Sequence, residues 1–186
     1  MATIREGKQS VLLVVDVQVD VMASLWERSR VIENIRKAVE KARAANTPVI
    51  WVQHEDDDDG LTHGTPDWEI VPELVPAESE TRIYKEYNSS FEQTNLEEVL
   101  AALGATHVIL AGAATNWCIR ATAHGALDRG YDLTLLKDAH TTEEIEFNDG
   151  VIIEAEQIIR ELNVSMTWMG YPGVKNSTLT VDELAF

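Results

Sequence analysis

Three features that would assign a chain to a class at once are missing from this sequence: a second cysteine, a basic cluster and a long hydrophobic run. One cysteine, Cys118, occurs in 186 residues, so an intrachain disulfide is excluded and the fold must depend on its hydrophobic core. The 15 lysines and arginines face 32 aspartates and glutamates, which gives a net charge of −17. Because nucleic acids and anionic membrane surfaces attract clustered positive charge, neither is expected as a partner.

The longest apolar run covers only residues 11–15, whereas a membrane-spanning helix needs about 20 apolar residues. The run is also too short for a secretory signal, so we predict a cytoplasmic protein. Neither G-x-G-x-x-G nor G-x-x-x-x-G-K-[ST] follows any predicted strand, which argues against a nucleotide-binding module. With 45% hydrophobic residues and no linker or repeat, the chain is predicted to form a single domain over residues 1–186.

Short apolar runs without alternation indicate strands that are buried on both faces of a sheet. Six strands are predicted, at residues 11–15, 49–52, 81–84, 108–111, 133–136 and 164–169. Helical periodicity occurs at residues 31–42, 96–103, 119–127 and 151–162, and the second of these opens with the capping-box pattern Thr94-x-x-Glu97 and ends at Gly104. This alternation predicts the α/β class, with a three-layer α/β/α architecture and a six-stranded, mainly parallel sheet.

Two segments show no clear periodicity. Residues 54–80 hold the run Asp56–Asp59 with several glycines and prolines, and a loop of this length often acts as a lid over a site. His54 and His63 flank the acidic run, but carboxylates in loops are usually solvated, so we expect no metal. The tail, residues 170–186, carries apolar positions that offer a contact for another subunit: Leu179, Val181, Leu184 and Phe186.

An acid, an amine and a thiol each lie at or just after the end of a predicted strand: Asp16, Lys85 and Cys118. Ligands of open α/β sheets bind beyond the carboxyl ends of the strands, so these side chains are expected at one edge. Cys118 also lies at the predicted start of a helix, where unpaired N–H groups stabilise a thiolate. Taken singly, each has a simpler interpretation: a buried structural cysteine, a capping aspartate and a solvated lysine.

Together these residues resemble the isochorismatase-like cysteine hydrolases. Asp16-Val17-Gln18 resembles the D-x-Q of that family, residues 85–91 its K-x-x-x-S-x-F segment, and residues 112–119 its G-x-x-T-x-x-C-V turn. Residues 138–141 resemble its D-A-x-T. The likeness covers roughly residues 10 to 168 and implies a six-stranded parallel sheet in a Rossmann-type order.

The resemblance implies a nucleophile, Cys118, an acid/base, Asp16, and a cationic partner, Lys85. It also implies a cis bond between Ala113 and Ala114, with the backbone N–H groups of Ala114 and Cys118 forming an oxyanion hole. Substrate contacts are expected from four further residues: Gln18, His54, Asn88 and Trp117. Nicotinamidases of the family bind a metal through Asp-x-His, a spacing that residues 53–56 lack, so no metal or other cofactor is expected. A homodimer or larger homo-oligomer is implied as well.

The favoured hypothesis is a cysteine hydrolase that cleaves a carbon–nitrogen bond of a small amide or carbamoyl compound. One alternative is an isochorismatase-type hydrolase acting on a vinyl ether, a reaction that needs no thiolate. The other is a binding protein that keeps the fold without turnover, which the presence of acid, amine and thiol together argues against.

Overall fold

The computed structural model describes residues 5, 7–58 and 60–186. In these ranges six strands form one parallel sheet: Gln9–Val15 (β1), Val49–His54 (β2), Thr81–Lys85 (β3), Ala105–Ala113 (β4), Asp132–Thr141 (β5) and, after a short hairpin, Asn176–Leu179 (β8). Their order across the sheet is β3-β2-β1-β4-β5-β8. The hairpin consists of Ile145–Glu146 (β6) and Ile152–Ile153 (β7). The parallel six-stranded architecture predicted from the sequence is confirmed.

Within the described residues, five helices and one π-helical turn cover the two faces of this sheet: Val19–Met22 (α1), Arg28–Ala44 (α2), Leu96–Ala102 (α3), Thr115–Ile119 (the π-helical turn), Arg120–Asp128 (α4) and Ala155–Trp168 (α5). Alternate residues of β1 enter different cores, as a strand buried on both faces requires. Leu12 and Val14 pack in one core with α2, whereas Leu13 packs in the other with α3, α4 and α5. No helix within the described residues is long and apolar enough to cross a membrane.

The strand predicted at residues 164–169 is wrong, because residues 164–168 are the last part of α5. Leu162 and Met166 are buried one helical turn apart, while Val164 and Trp168 are exposed. Packing along the helical period therefore outweighs the strand preference of the branched and aromatic residues. The sixth strand is β8, which pairs with β5 from Leu133 to Leu136.

The tail after β8 packs in part against its own chain, and its predicted contact with a second subunit stays a prediction. Val181 and Leu184 are buried in the α2 side of the core. The Lys41 ammonium donates hydrogen bonds to the carbonyl oxygens of both residues, over 2.7 and 3.1 Å. Phe186 remains exposed.

Two local predictions concern α3. The helix ends as expected, because Gly104 follows it with φ +64°, a left-handed conformation that glycine adopts without penalty. The capping box does not form. The Thr94 hydroxyl donates to the Ser90 carbonyl oxygen over 2.6 Å and accepts a hydrogen bond from the Leu96 N–H.

Gly112 allows β1 and β4 to approach closely at their carboxyl ends, where Val15 and Gly112 are register partners. A Cβ atom on Gly112 would lie 2.0 Å from the Val15 carbonyl oxygen, and its φ is +130°. Both the contact and the backbone conformation therefore require glycine.

We expect Gly112→Ala to lower the free energy of unfolding by about 3 kcal/mol or more, since the Val15 backbone would have to move. Urea denaturation followed by circular dichroism measures this change. Gly104→Ala is the matched control, because Gly104 also has positive φ but has open space around it, so a loss of only about 1 kcal/mol is expected. Equal losses in the two variants would show that the β1–β4 approach is not the constraint.

Candidate active site

Four polar side chains meet at the carboxyl edge of the sheet: Asp16, His54, Lys85 and Cys118. Asp16 directly follows β1, His54 and Lys85 are the last residues of β2 and β3 and are register partners, and Cys118 lies in the π-helical turn after β4. The parallel strands bring all four to one edge. They meet beside the boundary between β1 and β4, where the strand order reverses. In open α/β sheets the ligand-binding crevice forms at this point.

The Lys85 ammonium lies at the centre of this cluster. Its Nζ is 2.7 Å from Asp16 Oδ2, 3.1 Å from His54 Nδ1 and 3.2 Å from Cys118 Sγ. The Lys85 and Asp16 side chains are both almost fully buried. The three residues predicted as catalytic are therefore in mutual contact, with His54 added to them.

The backbone of Asp16 turns sharply at the end of β1. Its φ is +52°, a left-handed conformation that aspartate tolerates better than most residues, and its N–H donates to the Val52 carbonyl oxygen over 2.9 Å. Asp16 Oδ1 is buried and has no hydrogen-bond partner among the described residues. This oxygen is therefore able to accept a proton.

Charge and burial oppose each other at this site. Burial alone would lower the pKa of Lys85, but the negative charges of Asp16 and of the Cys118 thiolate outweigh it and raise that pKa. Burial, and after it the Asp16 carboxylate, raise the pKa of Cys118 to about 12 against the opposing effect of Lys85. The stabilisation of a thiolate by the start of the helix stays a prediction, and the net shift of this pKa is upward. At neutral pH Lys85 is therefore an ammonium and Cys118 a protonated thiol.

The turn that carries Cys118 begins at a cis bond between Ala113 and Ala114, which confirms that prediction. The Ala114 carbonyl oxygen accepts hydrogen bonds from the N–H groups of Trp117 and Ile119, both over 3.1 Å. These bonds fix the residues on either side of Cys118. The oxyanion hole from the N–H groups of Ala114 and Cys118 stays a prediction.

The residues predicted to contact substrate differ in their surroundings. Asn88 and Trp117 are exposed, and the Trp117 side chain, next to the nucleophile, is 56% exposed. Gln18 is fully buried: its Nε2 donates to the carbonyl oxygens of His54 and Trp68, and its Oε1 accepts from the His54 N–H. The Gln18 amide thus joins the end of β2 to the following loop, and direct substrate contact by these residues stays a prediction.

The loop of residues 54–80 is anchored by buried apolar side chains: Leu61, Trp68, Val71 and Leu74. Among the described residues, the acidic run and the two histidines do not supply three ligand atoms within 4.8 Å of one another. Asp56 and Asp57 line a cavity of about 510 Å³ with His63, whose Nδ1 is 2.5 Å from Glu55 Oε1, while Asp59 lies outside the described residues. Where the chain is described, one group of three side chains has its metal-ligating atoms close together: Asp16, His54 and Cys118. The Lys85 ammonium lies among these three side chains.

A buried histidine that sequence reasoning did not single out supports the turn that carries Cys118. The Asn163 amide donates to the Lys137 carbonyl oxygen, so its Oδ1 faces His140 Nε2 at 3.0 Å. Nε2 must therefore carry the proton, and Nδ1 accepts from the Thr115 hydroxyl over 2.9 Å. Burial lowers the pKa of His140 to about 4. Thr115 and His140 occur in the quoted motifs, but no local signal points to Asn163 on α5.

Comparison with known proteins gives a consistent result. A family model described as the isochorismatase domain matches residues 10–162. A secreted isochorismatase effector of Verticillium dahliae is 36% identical over 71% of this chain and 72% of its own length. A streptothricin hydrolase of Streptomyces noursei is 33% identical over 75% of this chain and 57% of its own length, and an ureidoacrylate amidohydrolase of Klebsiella pneumoniae is 29% identical over 71% and 73%.

Among solved structures, a cysteine hydrolase from Pseudomonas syringae pv. phaseolicola superposes with a TM-score of 0.86. The likeness covers 94% of this chain and 90% of that protein at 22% identity, so it supports the fold.

We expect Asp16→Asn to lower the pKa of Cys118, because the carboxylate that raises it is removed while Lys85 remains. Alkylation by iodoacetamide at pH 8 should then become faster, about tenfold for each unit of pKa. Lys85→Met should have the opposite effect. Intact mass reports each adduct on the single cysteine, and Asp20→Asn, an exposed carboxylate, is the control. Slower alkylation of Asp16→Asn would contradict this electrostatic account.

Acidification should destabilise the fold through His140. Its pKa is about 4 when folded and about 6.5 when unfolded, so its contribution is present above pH 6.5 and is lost as pH falls towards 4. Between pH 8 and pH 5 this loss amounts to about 2 kcal/mol. His140→Gln should lack this part of the pH dependence in urea titrations. Identical slopes for His140→Gln and the wild type would refute the assignment.

Proposed function

This chain belongs to the isochorismatase family and is a hydrolase of that family, and from this premise we propose that it cleaves a carbon–nitrogen bond of a small amide or carbamoyl compound. The observation that carries the proposal is the Lys85 ammonium, which contacts both the Asp16 carboxylate and the Cys118 sulfur. A thiol beside a base and a cation suits attack on a carbonyl carbon. A relative named as an amidohydrolase supports the same bond type.

In the first half of the reaction, Asp16 takes the proton of the Cys118 thiol as the sulfur attacks the substrate carbonyl carbon. Lys85 stabilises the developing thiolate, and the negative charge moves to the carbonyl oxygen in the tetrahedral intermediate. Asp16 then returns its proton to the leaving nitrogen. The carbon–nitrogen bond breaks, and ammonia or an amine leaves behind a thioester or thiocarbamate on Cys118.

In the second half, water replaces the amine. Asp16 accepts a proton from the attacking water, whose oxygen bonds to the carbonyl carbon. The carbon–sulfur bond then breaks, the acid product leaves, and the proton returns to Cys118. One carboxylate thus acts as base and acid in turn, and Lys85 keeps its charge throughout.

Two alternatives receive less support. Hydrolysis of a vinyl ether needs no sulfur nucleophile, yet Cys118 contacts the ammonium directly. A binding protein without turnover has no use for a buried ion pair next to a thiol, because burying charges costs several kcal/mol per ion.

The cellular location and the assembly stay predictions. A cytoplasmic location is expected only from the sequence, and one relative is named a secreted effector. A homodimer or larger homo-oligomer is expected from the family resemblance alone.

We expect Cys118→Ser to lose ammonia release from primary amides and N-carbamoyl compounds by at least 1000-fold, since an unactivated hydroxyl replaces the nucleophile. A coupled ammonia assay screens the substrates, and quenched intact-mass spectra should show the acyl or carbamoyl adduct on the wild type alone. Ser165→Ala, at a half-exposed serine on the surface of α5, is the control and should keep full activity. Undiminished turnover by Cys118→Ser would disprove the mechanism.

A further inference from the structure

We propose that His54 is a positioning residue that accepts the third proton of the Lys85 ammonium and so holds this cation against Asp16 and Cys118. The role differs from the substrate contact expected from the sequence. It rests on the proposed function only for its effect on turnover, because the contact itself belongs to the free protein.

The Lys85 ammonium has one acceptor atom nearby for each of its N–H donors. An ammonium has three N–H donors and no acceptor. Three acceptor atoms surround Lys85 Nζ within hydrogen-bond distance: Asp16 Oδ2, His54 Nδ1 and Cys118 Sγ, at 2.7, 3.1 and 3.2 Å. In a nearly fully buried site an unsatisfied charged donor is costly, so the imidazole completes the set that keeps the ammonium in place.

The contact also determines the state of the His54 ring. Because the ammonium can only donate, Nδ1 must be the acceptor and the proton must lie on Nε2. An imidazolium in the same place would direct a second positive group at Lys85. His54 is therefore neutral in the assembled site.

The backbone places the ring with little freedom. His54 and Lys85 are partners in the β2–β3 register, and the Glu55 N–H donates to the Lys85 carbonyl oxygen over 2.8 Å. The Gln18 amide binds both the N–H and the carbonyl oxygen of His54, over 2.8 and 2.9 Å. Since Gln18 lies two residues after Asp16, this amide couples the positions of acid and histidine.

A substrate-independent experiment separates positioning from substrate contact. His54→Leu removes the acceptor, whereas His54→Asn keeps one, because Oδ1 of asparagine lies near the place of Nδ1. The rate of iodoacetamide alkylation of Cys118 is followed against pH by intact mass. We expect the His54→Leu profile to move to higher pH, with a rate at pH 8 about 3- to 10-fold lower, because a less constrained ammonium stabilises the thiolate less. His54→Asn should stay within about twofold of the wild type.

His63→Leu, at an exposed histidine of the same loop, is the matched control and should leave the profile unchanged. A residue that only touches substrate would also leave it unchanged, so an unaltered His54→Leu profile overturns the proposal. Imidazole ¹⁵N spectra of the wild type test independently which ring nitrogen of His54 carries the proton. The His54 signal, identified by its loss in His54→Asn, should report an unprotonated Nδ1 with a proton on Nε2, and an Nδ1–H tautomer or an imidazolium at pH 7 would contradict the geometry.

Once a substrate is in hand, His54→Leu should lower kcat about 10- to 100-fold with little change in KM, and His54→Asn should restore most of it. A rise in KM alone would indicate substrate contact and would overturn positioning. If no amide is hydrolysed by the wild type, the proposed function fails, yet the alkylation profiles and the ¹⁵N spectra still decide the role of His54.

Discussion

The buried ion pair between Lys85 and Asp16 is the interaction on which the rest of the structure depends. Removing these charges from water costs several kcal/mol per ion, and only close contact with further hydrogen bonds offsets that cost. Lys85 Nζ has the Asp16 carboxylate at 2.7 Å, with His54 and Cys118 as its other acceptors. These side chains come from the ends of β1, β2 and β3 and from the turn after β4. The pair is therefore stable only when four strands are correctly ordered, which ties the site to the topology of the sheet.

The position of Cys118 relative to this pair depends on the backbone conformation at the ends of β1 and β4. Gly112, at φ +130°, lets the end of β4 touch the Val15 backbone, and the π-helical turn that carries Cys118 begins three residues later, at Thr115. Asp16 leaves β1 at φ +52° on the other side of the same boundary. Both departures from ordinary strand geometry lie at the switch point, so the sheet is distorted where the acid and the thiol must face one another.

The sequence predicts the site residues that lie at the ends of strands. It does not predict contacts between side chains that are far apart in the chain. Asp16 directly follows an apolar run, and the parallel arrangement places Lys85 beside it, so their meeting could be predicted. Nothing in the sequence around His54 indicates that its ring faces Lys85, so the sequence predicts only a substrate contact for this residue. Asn163 was overlooked because its partner, His140, is 23 residues away on β5. Residues 164–169 were misread because strand preference is a weak guide once Leu162 and Met166 pack along a helix.

Protonation of the Cys118 thiol limits the reactivity of the sulfur in the free protein. A cysteine stabilised as a thiolate is open to any electrophile or oxidant that reaches it. Here burial and Asp16 raise the pKa of Cys118 to about 12, so the sulfur is mostly a thiol at neutral pH. The nearby base for its proton is the Asp16 carboxylate. One oxygen of Asp16, one ring nitrogen of His54 and the sulfur of Cys118 all lie within 4.8 Å of one another. In the mechanism proposed above, the thiolate would form only as the sulfur attacks a bound carbonyl, and Lys85 would assist by opposing the rise in the pKa of Cys118.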